Sequence, residues 1–254
     1  MGVVVVASMK GGVGKTSVTA NLAVAMAAEL GAGCVSTIDL DPQNALHLHL
    51  GLDTSERQSV CQQALRHRSW RGVMMDSPFG VTCLPYGVAN EPERKAFEDI
   101  LAAEPDWLQR QLTQVGLGGD DVVLIDMPPG PSVYLNQGFA CADLLLIVLL
   151  PDAGSYSTIA AMESWIDQIA LQRPDLQSVY LLNQMDESVR LNRDMGEVLR
   201  QRLNTRLSPI GIHRDEAASE ALAFLQPVLS YDPACQATHD FQRLAAFLLE
   251  PSTR

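Results

Sequence analysis

The chain has 254 residues, and its 18 Lys and Arg against 30 Asp and Glu leave a formal net charge of −12. With 47% apolar and 19% charged residues, the composition is that of a folded globular protein and excludes a disordered one. The acidic balance argues against a free-standing nucleic-acid binder, and no run approaches the roughly 20 apolar residues that a membrane span needs. No secretory signal is expected, and five scattered cysteines favour reduced thiols in a cytosolic protein.

Short apolar runs alternate with helical patterns along the chain. Strands are predicted over 3–7, 35–38, 81–84, 122–125, 144–150, 179–182 and 207–212. Helices are predicted over 16–30, 93–115, 155–171, 192–203, 215–225 and 232–254, the last with a short tail, and 53–80 is the least regular segment. This alternation predicts one α/β domain over residues 1–254, with a mainly parallel sheet of about seven strands and helices on both faces.

A glycine-rich loop, MKGGVGKTS over 9–17, follows the first predicted strand and opens the first helix. Glycines allow a tight turn that brings backbone N–H groups to phosphate oxygens, and the helix N-terminus favours anions. Lys15 is predicted to reach the β- and γ-phosphates, and the Thr16 hydroxyl to ligate Mg²⁺. The predicted phosphate-binding residues of this P-loop are Gly11, Gly12, Val13, Gly14, Lys15, Thr16 and Ser17.

Carboxylates follow two other predicted strands. Asp39 and Asp41, in IDLDPQ, project to the same side of a strand end, toward the edge where ligands bind in open α/β sheets. Asp126 ends the apolar run VVLID, the pattern of a Walker B strand, in which the carboxylate holds a magnesium-bound water. The sequence therefore predicts a magnesium-nucleotide site in which Thr16 and Asp126 serve the metal and Asp39 and Asp41 lie at the same edge of the sheet.

The loop KGGVGKT resembles the deviant Walker A motif of the MinD/ParA family of P-loop ATPases, and DLDPQ and DMPPG resemble its two switches. The resemblance implies an ATP-dependent homodimer in which Lys10 crosses the interface to the partner's phosphates. It also implies that Asp41 orients the attacking water, that Asp39 acts on the Mg²⁺ shell through water, and that Gly130 gives its N–H to the γ-phosphate. Lys10, Lys15 and Asp41 are the residues expected to carry catalysis.

The base-binding side is implied by the same family. Asn183 ends the strand VYLLN, where it is either a base contact or a turn asparagine, and PIGIHRD supplies Pro209 and His213 as the opposite wall. The guanine-reading NKxD is missing, since 183–186 reads NQMD, although a carboxylate such as Asp186 can read guanine. ATP is favoured over GTP mainly through the resemblance.

The stretch 209–231 is similar to the BcsQ proteins, a MinD-like group encoded with bacterial cellulose synthase. This resemblance implies a role in cellulose secretion and in placement of the synthase machinery. Partners would be small cytosolic proteins of the cellulose secretion system. A cytoplasmic location is expected, with arrival at the inner membrane or a cell pole through partners.

Two alternatives stay open: a nucleotide-held scaffold with negligible hydrolysis, and a partitioning or positioning ATPase acting on DNA or membrane. The last helix carries an apolar stripe with only Arg243 nearby, which favours core packing over a membrane anchor. The arginines of 190–206 do not share one helical face, and the cluster 66–71 is either a docking patch or an exposed face. Intrinsic nucleic-acid binding and direct membrane contact are therefore not expected.

Overall fold

The computed structural model describes residues 2–53, 59–117 and 121–250, so that Asp120 and the tail 251–254 lie outside the described residues. Its strands are β1 (Val3–Ala7), β2 (Val35–Asp39), β3 (Met75–Asp76), β4 (Thr82–Leu84), β5 (Val122–Asp126), β6 (Leu144–Leu149) and β7 (Gln177–Leu182). They form one sheet in the order β3-β4-β2-β5-β1-β6-β7. Only the β3–β4 pair is antiparallel among these described strands. The predicted α/β class with a mainly parallel seven-stranded sheet is confirmed.

Helices cover both faces of this sheet, as predicted. The helices are α1 (Lys15–Leu30), α2 (Leu46–His49), α3 (Val60–Leu65), α4 (Glu91–Ala103), α5 (Trp107–Val115), α6 (Val133–Cys141), α7 (Ala153–Ala170), α8 (Arg190–Leu203), α9 (Glu216–Ala223), α10 (Val228–Tyr231) and α11 (Gln236–Leu249). Alternate residues of β1 point to opposite faces, so Val4 belongs to the core that includes α1 and α11, and Val5 to the core that includes α4 to α8. None of the described helices combines the length and apolarity that crossing a lipid bilayer demands.

The prediction of a strand over 207–212 is wrong. This segment runs beside β7, and Ser208 and Ile212 donate backbone bonds to β7 carbonyls at 2.8 and 2.9 Å. Between them, however, Pro209 has no N–H, and the N–H of Ile210 turns back to the Ser208 hydroxyl at 3.1 Å. The ladder is interrupted, so only isolated bridges form. The seventh strand is instead β3, a two-residue edge strand within the irregular segment 53–80.

The prediction of one helix over 93–115 is also wrong, since α4 and α5 are separate helices. Asn90 begins α4 with a reciprocal capping box in which its side chain and that of Glu93 each accept a backbone N–H. The break falls at Glu104, which has a non-helical backbone conformation with φ of −127° and ψ of 86°. The following Pro105 disfavours helical angles at this residue. The terminal helix likewise begins later than expected, at Gln236.

A buried histidine on α2 makes stability depend on pH. Burial of His49 on α2 lowers its pKa from 6.5 to about 4. The unfolded chain therefore binds a proton between these values that the folded chain does not. Hence the free energy of unfolding should fall as pH drops from 6.5 to 4, by up to about 3 kcal/mol from this group. Urea unfolding at pH 7.5 and 4.5 measures the drop.

A matched pair of variants isolates that contribution. His49→Phe should flatten the pH dependence because phenylalanine cannot take up a proton. His239→Phe, at an exposed position of α11, should leave it unchanged. An equal drop in stability in His49→Phe and the unaltered protein would contradict the assignment.

Candidate nucleotide-binding site

The loop between β1 and α1 needs glycine at two positions. Gly12 and Gly14 have φ of 76° and 85°, in the left-handed region that side chains disfavour. A Cβ on Gly14 would also lie 2.6 Å from the Nδ2 of Asn183, closer than van der Waals contact allows. The backbone therefore turns sharply into α1, and Gly14 caps a helix N-terminus that suits an anion.

Lys15 and Thr16 begin α1 beside the carboxyl ends of β2 and β5. Lys15 is buried, which lowers its pKa, while the charges of Asp126 and Asp41 act in the opposite direction. The Thr16 hydroxyl donates to Oδ2 of Asp126 at 2.6 Å. The structure thus brings together four predicted site residues: the loop lysine, the loop threonine and two of the three aspartates.

The two strand-ending carboxylates are buried side by side. Asp39 and Asp126 are register partners on β2 and β5, and neither has exposed surface. Burial raises the pKa of Asp126 to about 7, against the Thr16 hydrogen bond and the Lys15 charge, which lower it. Burial and the neighbouring Asp126 raise the pKa of Asp39 well above its usual range, although Asp39 accepts the N–H groups of Asp41 and Leu46. A cation placed here would relieve this crowding of negative charge.

These residues fit a magnesium site of the nucleotide-dependent kind. Among the described residues no group of three or more His, Cys, Asp or Glu is arranged to hold a metal by itself. Mg²⁺ in phosphoryl-transfer sites does not need one, since it takes one or two protein oxygens, waters and the phosphates of the nucleotide. Thr16 and Asp126, already bonded to each other, supply a hydroxyl and a carboxylate of that type.

The loop after β2 is a turn built on Asp41. Its Oδ1 accepts the N–H of Gln43 at 2.9 Å, and its carbonyl accepts the N–H of Asn44 at 2.8 Å. The side chain of Asn44 accepts the N–H of Gly87 at 2.9 Å, which ties this loop to the segment after β4. These local bonds hold the buried carboxylate of Asp41 near Lys15.

The loop after β5 carries Gly130, with a φ of 77°. Its N–H donates to the carbonyl of Ser8 at 2.8 Å, which anchors the loop against the strand that precedes the P-loop. For this N–H to reach a γ-phosphate, as the family resemblance implies, the bond to Ser8 would have to break.

Lys10 has an acidic partner that sequence reasoning missed. Its Nζ lies 2.6 Å from Oδ2 of Asp152, the residue that caps α7 through the N–H of Ser155. Partial burial of Asp152 works against its ionisation, but hydrogen bonds from Lys10 and Ser155 outweigh it and lower the pKa. The only signal in the sequence is an Asp three residues before the helix predicted over 155–171, a place that an ordinary helix cap can also occupy.

A concave region continues from the P-loop toward α9, lined by Gly14, Ser17, Asn183 and His213 among others. Asn183 donates from Nδ2 to the carbonyl of Val13 at 2.8 Å, so it supports the loop from behind. Pro209 lies in a neighbouring depression that His213 also lines. Of the predicted base-binding residues, Asn183 and His213 therefore border the P-loop cavity.

Comparison with known proteins places this geometry in a family. The model of the family described as cellulose biosynthesis protein BcsQ matches residues 1–249. The cellulose biosynthesis protein BcsQ of Escherichia coli K12 is 27% identical over 257 residues, covering 98% of this chain and 94% of that protein. The chromosome partitioning protein ParA of Caulobacter vibrioides is 25% identical over 259 residues, covering 96% and 92%.

Solved structures agree on the fold. The septum site-determining protein MinD from Pyrococcus horikoshii, complexed with Mg-ADP, superposes with a TM-score of 0.80 at 22% identity, covering 99% of this chain and 97% of that one. Cobyrinic acid a,c-diamide synthase from Mycobacterium smegmatis, with a bound ATP analogue and magnesium, gives 0.78 at 23% identity, covering 98% and 94%. The predicted resemblance is confirmed: the chain belongs to the BcsQ family of cellulose biosynthesis proteins, with the fold of MinD/ParA-type P-loop ATPases.

Proposed function

We propose that this protein is a Mg²⁺-dependent ATPase that works as a dimeric switch in bacterial cellulose secretion. The observation that carries the proposal is the contact between Thr16 and Asp126 at 2.6 Å, beside a buried Lys15 at the end of a glycine loop. That combination supplies cation, hydroxyl and carboxylate at one helix N-terminus, which is the chemistry that a magnesium triphosphate requires.

Each residue then has a defined task. The N–H groups of Gly12, Val13 and Gly14 and the ammonium of Lys15 bind the phosphates, and Thr16 and Asp126 hold the metal. When bound, Mg²⁺ would add its positive charge to that of Lys15 and so offset the negative charge that develops on the transferred phosphoryl group. Asp41 orients the attacking water. Asp39 holds the turn in place because its carboxylate accepts the backbone N–H of Asp41.

The dimeric part of the proposal concerns Lys10. Lys10 and Asp152 are each more than one-third exposed, so their ion pair contributes little free energy and can exchange partners. In an ATP-bound dimer the ammonium of Lys10 would leave Asp152 for the phosphates bound by the other subunit. Loss of the γ-phosphate would remove that contact and lower the affinity between subunits.

The cellular role follows from the relatives rather than from the site. The family and several relatives are named for cellulose biosynthesis, which supports cytosolic partners from the cellulose secretion system. ATP-dependent co-purification with cellulose synthase components would test this role. Recovery of the same components with and without ATP would contradict a nucleotide-controlled association.

Hydrolysis is tested by removing the charge of Asp41 without removing its turn. Asn at this position can still accept the N–H of Gln43. Asp41→Asn should therefore bind ATP with an affinity close to that of the unaltered protein but release phosphate at least tenfold more slowly. Single-turnover phosphate release and fluorescent-nucleotide binding measure the two steps.

Asp99→Asn, at an exposed position of α4, is the matched control and should bind ATP and release phosphate as the unaltered protein does. Equal phosphate release from Asp41→Asn and the unaltered protein would reject the role given to Asp41. Tight ATP binding with no release from either would favour the scaffold, which holds nucleotide without turnover.

A further inference from the structure

Apolar side chains lie exposed around the end of α9. Phe224 and Leu225 follow this helix with 66% and 48% of their surface exposed, and the Phe224 ring stacks on Tyr231 with the centroids 5.5 Å apart. Helix α2 packs against α9 and exposes Leu48, and the Leu225 carbonyl oxygen lies beside Gly51, just after α2. We call Leu48, Phe224, Leu225 and Tyr231 the Phe224 patch. Exposed apolar side chains that cluster in this way mark interaction sites, whereas scattered ones do not.

Leu225 occupies a backbone position that usually belongs to glycine. Its φ is 55°, and its N–H donates to the carbonyl of Leu222 at 3.0 Å. The N–H of Gln226 donates to the carbonyl of Ala221 at 3.0 Å. These two bonds form a Schellman helix end, in which glycine commonly takes the left-handed position. A leucine is sterically disfavoured there, and about half of its surface still contacts water. Folding alone would favour glycine, so the leucine side chain points to a contact outside the chain.

The chain around the Phe224 patch is acidic. Segments 46–53 and 216–232 together carry four carboxylates and no lysine or arginine. Glu220 accepts the O–H of Tyr231 at 2.8 Å, and this bond, together with the charges of Glu220 and Asp232, raises the pKa of that hydroxyl. Two carboxylates therefore lie at the aromatic end of the patch, where they would attract a cation.

We propose that the Phe224 patch binds a cationic amphipathic segment of a partner protein. Tyr231 covers one face of the Phe224 ring, so the large exposure of Phe224 leaves the other face open to solvent. Aromatic faces attract guanidinium and ammonium groups, and arginine is the commoner partner. Glu220 and Asp232 pair with further cations of the segment, and Leu225 contacts its apolar side chains. Apolar and charged contacts at one place give the patch its specificity.

The charge of the patch argues against two other occupants. An anionic lipid surface would repel these carboxylates, and the chain as a whole carries a net charge of −12. A second copy that met the first through the same patch would bring Glu220 and Asp232 of both copies together. A partner of opposite charge avoids both costs.

The proposal is tested with a fluorescent amphipathic peptide made of leucine and arginine, by anisotropy with the full chain at physiological ionic strength. No nucleotide is added, so the result does not depend on the proposed ATP site. Phe224→Ser should bind this peptide at least about tenfold more weakly than the unaltered protein. Leu171→Ser is the matched control: Leu171 is exposed after α7, which packs on the opposite face of the sheet, and its loss should leave binding unchanged.

Leu225→Gly separates binding from folding. Glycine accepts the left-handed backbone without strain, so this variant should unfold at an equal or higher urea concentration than the unaltered protein. It should nevertheless bind the peptide about fivefold more weakly, because it lacks the apolar contact. Glu220→Gln should bind about threefold more weakly, and Asp99→Asn, which removes one negative charge from exposed α4, should bind as the unaltered protein does.

Each remaining outcome would overturn the proposal. No binding by the unaltered protein would do so, and so would equal binding by the unaltered protein, Phe224→Ser and Leu225→Gly. Equal binding of a peptide with glutamate in place of arginine would remove the role of charge. Binding to phosphatidylglycerol vesicles that Phe224→Ser abolishes would assign the patch to a membrane. A concentration-dependent mass that Phe224→Ser abolishes would assign it to a second copy.

Discussion

Replacing Lys15 with alanine is expected to weaken ATP binding by at least a hundredfold. Lys15 is the buried cation of the loop. Burial lowers its pKa, and the negative charges of Asp126 and Asp41 favour its protonated form. The phosphates of a bound nucleotide would favour that form in the same way. A charge-assisted contact in a partly dehydrated site is worth several kcal/mol, and loss of 2.7 kcal/mol corresponds to about a hundredfold. Titration with a fluorescent ATP analogue in the presence of Mg²⁺ measures the change.

The sequence offers an unusually clean control, because it contains only three lysines and two of them are in the loop. The third, Lys95, is exposed on α4. Lys95→Ala removes the same charge from the protein and should bind ATP as the unaltered protein does. If Lys15→Ala and Lys95→Ala bound ATP equally well, the loop would not be the nucleotide site.

The phosphate side of this site was predictable from the sequence because its parts are short and local. A glycine loop between strand and helix determines its own backbone, and carboxylates at the ends of neighbouring parallel strands must meet at one edge. Hence Thr16 and Asp126, 110 residues apart, were both predicted and lie in contact. The alternation of apolar runs and helical patterns predicted the sheet for the same reason, since the central strands β1, β5 and β6 read as nearly continuous apolar runs.

Errors arose where tertiary contacts decide the local structure. The segment 207–212 is apolar enough for a strand, but Pro209 and the hydroxyl of Ser208 interrupt its pairing with β7. The two-residue strand β3 has no pattern long enough to detect. Asp152 was missed because an Asp shortly before a helix looks like an ordinary cap in the sequence, and only the fold brings it to Lys10.

Replacing Lys10 with alanine is expected to separate nucleotide binding from dimerisation. Within its own subunit Lys10 pairs with Asp152 and not with Asp41 or Asp126, the acidic residues beside Lys15. Removing the Lys10 side chain should therefore change ATP affinity by no more than about threefold. In a symmetric dimer, however, each subunit supplies its Lys10 to the other's site, so the substitution removes two contacts from one interface. The ATP-dependent dimer of Lys10→Ala should therefore be weakened at least tenfold. Size-exclusion chromatography with light scattering, with and without a non-hydrolysable ATP analogue, measures the mass.

Asp152→Asn supplies the complementary experiment. Asn can still cap α7 through the N–H of Ser155 but no longer pairs its charge with Lys10. With the competing carboxylate neutralised, Lys10 should reach the partner's phosphates more readily, so the dimer should form at equal or lower protein concentration than in the unaltered chain. A Lys10→Ala protein that dimerises with ATP as the unaltered protein does would reject the trans role of Lys10. A mass unaffected by ATP in the unaltered protein and both variants would reject the dimeric switch itself.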